Sequence, residues 1–155
     1  DESFPEGMEG MEIPKYIACR KADAYRSVMK PDELVITADT IVWLDGKVMG
    51  NPADEQEANL MLHALSGHTH QVITGVCLTT TRFQRSFSTL TDVSFATLTD
   101  EEIEYYIRKY RPMDKAGAYG IQEWIGFIGV ERISGSYFNV MGLPIQRLYT
   151  EFCKL

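Results

Sequence analysis

No stretch of this sequence approaches the ~18 consecutive apolar residues of a membrane-spanning helix, and no signal-peptide pattern opens it. A membrane partner is therefore not expected. Cysteine is scarce: Cys19, Cys77 and Cys153 lie far apart and show no metal-ligand spacing. They read as buried or half-buried thiols of a reducing compartment, so the expected location is cytoplasmic. Cys77 has no histidine at an interpretable spacing, which speaks against thiol nucleophilic chemistry. Histidine is equally scarce, with only His63, His68 and His70. In an extended segment His68 and His70 would share a face, but no third ligand has zinc spacing, so polar-surface or hydrogen-bonding roles are expected. Neither a P-loop nor a Rossmann glycine fingerprint occurs. Positive charge is short too: 15 Lys and Arg against 22 Asp and Glu leave a net charge of −7. That balance argues against a general nucleic-acid surface or an anionic-membrane partner. It leaves room for a small anionic substrate, because local charges and backbone dipoles decide such sites.

What is present fits one mixed α/β domain. The 155 residues are 45% hydrophobic, enough to bury a core, and they contain neither an internal repeat nor a long linker. The chain opens Asp-Glu-Ser-Phe without a methionine, which raises the expectation of an upstream piece. After a loop-like start, Pro14 suits the first turn of a helix running to about Val28, with Ile17, Ala18, Ala22, Tyr25 and Val28 as its apolar stripe. LVITA, 34–38, reads as a strand that delivers Asp39 and Thr40 at its far end. Ile41-Val42-Trp43 either continue that strand or pair back through a turn at Asp45-Gly46. Asp54 with Glu57 predicts a capped helix whose stripe is Ala58, Met61, Leu62 and Leu65, stopped by Ser66-Gly67. Strand patterns over 71–81 and 86–97, joined through Gln84-Arg85, predict an antiparallel hairpin. Thr99 and Glu102 predict a second capping box, on a helix that ends before Pro112. Short strands around 127–133 and a last helix entered through Pro144 complete the reading.

Three stretches hold few side chains suited to a core. In ITADT, 36–40, Asp39 stands out, since an acidic side chain at the end of an apolar strand sits where open α/β proteins bind ligands. It can orient or deprotonate water, or hold Mg²⁺ beside phosphate oxygens; capping a turn would explain it equally well. In DKAGAYGIQ, 114–122, Lys115 offers charge and three donors to phosphate, and the small residues admit a ligand to the backbone. Gln122 carries both donors and an acceptor for a base edge. The plainer readings are a solvated Asp114–Lys115 pair and a Tyr119 packed in the core. In GSYFNVMGLP, 135–144, Ser136 and nearby backbone N–H groups are suited to cradle phosphate at a helix start. Alternatively the segment is a glycine-rich connection with Asn139 bonded to its own backbone. The acidic run 100–102 and the basic cluster Arg108, Lys109 and Arg111 fit the first and last turns of one helix.

Taken together, ADT at 38–40, GNP at 50–52, LSGHTHQVITGV at 65–76, DKAGAYGIQ and GSYFNVMGLP resemble, in order and approximate separation, the Maf (septum formation inhibitor-like) family. The resemblance covers nearly the whole chain. It implies an α/β fold with an elongated mixed β-sheet flanked by helices, related to the inosine triphosphate pyrophosphatases, and a homodimer. It also implies a nucleoside triphosphate pyrophosphatase that uses a divalent metal, Mg²⁺ or Mn²⁺. Asp39 matches the family's catalytic aspartate and proton acceptor, and Lys115 its site lysine. Thr40 and Gln122 match positions that influence substrate choice. Asp1-Glu2 match its acidic pair, so Glu2 and Asp39 are the expected metal ligands. The DKAG…GIQ form looks like the branch acting on dTTP and UTP rather than on methylated guanine nucleotides.

Two departures from the family pattern set further expectations. The family begins with a serine-rich loop followed by Pro-Arg-Arg, whose strand and phosphate-gripping arginines have no counterpart in these residues. An upstream segment outside the sequence is the expected reason. GNP also replaces the common Gly-Lys-Pro, so Asn51 is a phosphate-binding candidate without charge, and Lys47 is its nearby substitute. The implied reaction is metal-assisted attack of water on the α-phosphorus of dTTP, UTP or a modified pyrimidine triphosphate. A catalytically weak nucleotide-binding or regulatory protein is the competing expectation, favoured by Asn51 and the missing loop.

Overall fold

Five strands build the sheet that positions everything else: β1 (Val35–Leu44), β2 (Lys47–Met49), β3 (Thr69–Thr79), β4 (Gln84–Phe95) and β5 (Val130–Ser134). They lie in the order β2–β1–β3–β4–β5 in the computed structural model, which describes residues 2–155. All four pairings are antiparallel, so the α/β class holds while the sheet over the described residues is antiparallel rather than mixed. The cause is the path of the chain. Asp45 and Gly46, with φ of 50° and 78°, make the tight turn that reverses β1 into β2. Helix α2 (Glu55–Leu65) then carries the chain back, and β3 re-enters against β1.

Both alternatives for Ile41-Val42-Trp43 are realised, since these residues continue β1 against β3 while Val42 and Trp43 also pair with β2. Asp39 and Thr40 therefore sit in the middle of β1, opposite Gly75 and Thr74, and not at its far end. Alternation along the strands gives the sheet two buried faces. On one, Ile41 and Ile73 pack against Ile13 and Ile17 of α1 (Ile13–Asp23), and Cys77 packs against Ala18 and Ala22. On the other, Val42, Val72 and Val93 join the principal core with α2 and α3 (Asp100–Tyr110), while Val76 and Leu78 meet Leu148 of α6 (Ile145–Phe152). Each fully buried Ile or Leu contributes about 1.5–3 kcal/mol, so α1 is anchored chiefly by its two isoleucines. Its seat is Gly75: a Cβ there would fall 2.2 Å from the Lys15 backbone nitrogen, so only glycine lets the helix backbone rest on the strand.

Helix starts follow the caps read in the sequence. Thr99 and Glu102 form a reciprocal capping box, and Asp54 accepts the Glu57 N–H. Several other boundaries differ. Helix α1 stops at Asp23 rather than about Val28, and Tyr25 and Val28, 52% and 72% exposed, are not covered by any element among the described residues. Gln84 and Arg85 belong to β4, paired with Thr79 and Leu78, and the hairpin turns at 80–83 through a Thr80 N–H to Phe83 C=O bond. Residues 124–129, expected in part as strand, form helix α4 (Trp124–Gly129): Gly126 lies so close to the Ile121 carbonyl that no side chain fits, and the chain coils tightly there. The glycine-rich connection contains a further short helix, α5 (Tyr137–Met141). Among the described residues no helix is long and apolar enough to cross a membrane.

Candidate active site

Among the described residues, β2 pairs with Val42–Leu44, and β1 before Val42 has no strand partner on that edge. A cavity of about 330 Å³ is lined by residues of β1, of the 114–122 loop and of α5. Because successive strand side chains point to opposite faces, Asp39 enters the cavity from the α1 side and Thr40 from the other.

The α1 side is charged. Lys21, one turn beyond Ile17 on α1, places its Nζ 3.2 Å from Asp39 Oδ1, 3.1 Å from Glu2 Oε2 and 3.2 Å from the Ala38 carbonyl oxygen. Asp39 has a side chain only 9% exposed. Burial raises its carboxyl above the ordinary aspartate value, and Lys21 opposes that rise without cancelling it. Burial works to lower the Lys21 ammonium, but the Glu2 and Asp39 carboxylates outweigh it and hold Lys21 above its ordinary value. Sequence reasoning missed Lys21. Its signal was helical spacing, since a lysine one turn after Ile17 emerges beside the buried stripe and not opposite it.

The other side is built for hydrogen bonding. Thr40 Oγ1 lies 2.8 Å from Thr74 Oγ1, and Gly142 beside it leaves open space where a side chain would reach within 3.6 Å of that hydroxyl. The 114–122 loop is held in place at both ends. Gly117, with φ of 69°, packs against Val42 and donates its N–H to the Gly50 carbonyl, which ties the loop to the GNP stretch. The Tyr106 hydroxyl accepts the Gly120 N–H at 3.1 Å and donates to Glu123 Oε1 at 2.5 Å. Tyr119 is a core residue: its ring packs edge-on against Phe95 and His70, and its hydroxyl lies 2.6 Å from His70 Nε2.

Glu2, Asp39, Thr40, Asn51, Lys115 and Gln122 thus line one cavity. Lys115 also pairs with Asp114 at 3.2 Å. Lys47 and Ser136 are not brought to it. Lys47 opens β2 and is exposed, while Ser136 caps α5 by accepting the Asn139 N–H. Asn139 is not bonded to its own backbone through its side chain; its Nδ2 donates to the Val72 and Thr89 carbonyls and to Thr91 Oγ1. Asp1 lies outside the described residues. His68 is exposed and His70 buried, with burial pushing the His70 imidazole down to about 4. Cys19 and Cys77, distant in sequence, meet with their sulfurs 3.2 Å apart, away from the cavity lining. Among the described residues no three or more His, Cys, Asp or Glu converge on a point that would hold a metal. The Glu2 and Asp39 carboxylates meet as a pair around Lys21.

Comparison with known proteins agrees with the motif pattern. The family model described as Maf-like protein matches residues 1–155. A protein of Phocaeicola vulgatus named dTTP/UTP pyrophosphatase is 71% identical over 155 residues, covering 100% of this chain and 80% of that protein. One of the same name from Bacteroides thetaiotaomicron is 64% identical over 155 residues, again 100% and 80%. Another, from Flavobacterium psychrophilum, is 46% identical over 149 residues, 96% of this chain and 76% of that protein. With a family match along its whole length and relatives this similar, the chain belongs to the Maf family.

Proposed function

We propose that this protein is a nucleoside triphosphate pyrophosphatase that hydrolyses dTTP and UTP, and modified pyrimidine triphosphates of the same base edge, to the monophosphate and pyrophosphate. The observation that carries the reading is the division of one cavity by strand β1. Charged Glu2 and Asp39, both paired with Lys21 behind them, lie on the α1 side, and hydrogen-bonding Thr40 on the other, with Gln122 in the same lining. A triphosphate and a base need those two environments side by side. The names of the relatives supply the same substrate class. A homodimer and a cytoplasmic location belong to the same reading.

A divalent metal, Mg²⁺ or Mn²⁺, fits the donor set. Glu2 and Asp39 bring hard carboxylate oxygens to within 3.2 Å of the Lys21 ammonium, and a metal would take these oxygens in place of that lysine. Magnesium sites are commonly built from one or two carboxylates completed by water and phosphate oxygens. When bound, such a metal would neutralise phosphate charge and make a coordinated water more acidic.

The residues of the chain do the rest. Asp39 accepts a proton from water as the water oxygen bonds to the α-phosphorus and the bond from that phosphorus to the bridging oxygen breaks, releasing pyrophosphate. Its burial favours this role, because a carboxylate raised above the ordinary range is a better base. Lys21 and Lys115 offset the negative charge that spreads over the transferring and leaving groups, a task in which fixed cations outperform water. Asn51 donates to phosphate without adding charge. Gln122 contributes its amide to the O4/N3 edge of the pyrimidine.

The test is a nucleotide panel on the full natural chain with Mg²⁺, quantifying monophosphate and pyrophosphate. dTTP and UTP should be cleaved, EDTA should stop turnover and Mg²⁺ or Mn²⁺ should restore it. Asp39→Asn should bind nucleotide yet lose roughly 10²-fold or more in turnover. Binding without pyrophosphate release would identify a regulatory nucleotide binder instead. Orthophosphate as the first product would place the attack at a different phosphorus.

A further inference from the structure

Behind Thr40 a chain of hydroxyls runs away from the cavity into the protein. Thr40 Oγ1 is 2.8 Å from Thr74 Oγ1, which is 3.1 Å from the Asn139 carbonyl oxygen. Thr74 is 0% exposed, so no solvent completes its hydrogen bonds. A carbonyl oxygen only accepts, and the single proton of Thr74 therefore lies in the bond to Asn139. Turned toward Thr40, it would leave two oxygen lone pairs facing each other in a dry interior. Thr74 has only lone pairs left for Thr40, and Thr40 must give its own single proton to Thr74. The far end of the chain is rigid. The Asn139 side-chain Nδ2 is bonded to β3 and β4 through Val72, Thr89 and Thr91, and the Asn139 backbone carbonyl also accepts the Gly142 N–H at 3.0 Å.

We infer that Thr74 is a specificity-determining positioning residue, which polarises Thr40 so that its hydroxyl meets the base as an acceptor only. The inference rests on the pyrimidine triphosphate reading above and supplies its selection rule. Uracil and thymine carry an imide N3–H, which donates to Thr40 while the Gln122 amide meets O4 on the same edge. Cytosine N3 carries a lone pair and no hydrogen, so it meets Thr40 lone pair to lone pair, and a mismatched buried polar contact is costly. Gln122 cannot impose this rule alone. Its amide presents a donor or an acceptor according to its flip, and its exposed side chain has no hydrogen-bond partner among the described residues to fix that choice.

The experiment compares kcat/KM for UTP and CTP, as pyrophosphate release by the full natural chain, in wild type, Thr74→Val and Thr74→Ser. Serine keeps the hydroxyl chain and valine removes it at nearly constant shape. Thr74→Val should let the Thr40 proton turn toward the base, so the UTP:CTP ratio should fall by roughly tenfold or more. Thr74→Ser should retain the wild-type ratio. Circular dichroism melts establish that each variant is folded, and Thr74→Ala replaces the valine variant should that one fail. A parallel loss on both nucleotides with an unchanged ratio would overturn the inference and leave Thr74 a structural role. The same ratio loss in the serine variant would overturn it too. Should wild type cleave neither UTP nor dTTP, the functional reading fails separately, and the ratio of UTP to CTP binding affinities in wild type and Thr74→Val decides the inference in its place.

Discussion

Substituting Gly75 with alanine should damage the site through a residue that touches no ligand. The new Cβ would lie 2.2 Å from the Lys15 nitrogen, 2.3 Å from the Pro14 carbonyl carbon and 2.5 Å from the Lys15 Cα, all backbone atoms that cannot swing aside. Ordinary contact begins near 3.4 Å, so α1 must retreat by roughly 1 Å. Overpacking of this kind costs about 1–3 kcal/mol, which in a domain of this size lowers Tm by roughly 2–10 °C. The functional loss should be larger than the stability loss suggests. Helix α1 carries Lys21, whose Nζ is 3.2 Å from Asp39 Oδ1, and the same displacement would take it beyond hydrogen-bond reach. A misplacement of about 1 Å at a reacting group can cost on the order of 10² in rate. Thermal melts and initial rates of UTP cleavage on wild type and Gly75→Ala measure both effects. Gly50→Ala, where an added Cβ meets nothing within 4 Å, is the control for stability. A Gly75→Ala protein with wild-type Tm and wild-type turnover would refute the claim that this contact seats the helix and aims its lysine.

Two further outcomes follow from the site's surroundings. His70, lowered from 6.5 to about 4 by burial, resists protonation in the folded state while the unfolded chain takes up the proton. Its contribution to stability is complete above pH 6.5, is lost as pH falls from 6.5 to about 4, and amounts to roughly 3 kcal/mol over that window. Chemical-denaturation titrations of wild type against His70→Gln across this window should show a shallower acid loss in the variant; identical slopes would rule the assignment out. Asn51→Lys places a charge in the cavity beside the proposed phosphate position, and kcat/KM for UTP should rise by roughly tenfold, a gain of about 1.4 kcal/mol. An unchanged or lower value would mean that Lys21 and Lys115 already meet the electrostatic need.

What could be read from the sequence was local. The caps at Asp54 and Thr99 announced their helices because a cap needs only residues within one turn. Asp39, Thr40, Lys115, Asn51 and Gln122 were legible as candidates from residue type and motif, and one cavity collects them. Lys21 was not, because its role depends on how deeply α1 sits, and that depth is set by Gly75 on another element. Ser136 shows the opposite failure. A serine after a glycine suits a phosphate loop and a helix cap alike, and only the presence of α5 decides for the cap. The strand ends were misplaced for a related reason: a strand extends as far as its partner allows, and the partner's length is not a local property.

One register holds the two halves of the site together. Gly75 faces Asp39 across the β1–β3 ladder, and Thr74 faces Thr40. The first pairing seats α1 where Lys21 reaches the catalytic candidate, and the second brings up the hydroxyl that turns Thr40 into an acceptor. Strand side chains alternate with a period of two, so slipping β3 by a single residue would exchange its faces. The glycine would then leave the α1 side and Thr74 or Val76, each with a side chain, would take its place under the helix. Lys21 would be lifted from Asp39, and Thr40 would lose its partner in the same step. Charge placement for the triphosphate and polarity for the base therefore have a common structural origin in this pairing, although no residue takes part in both.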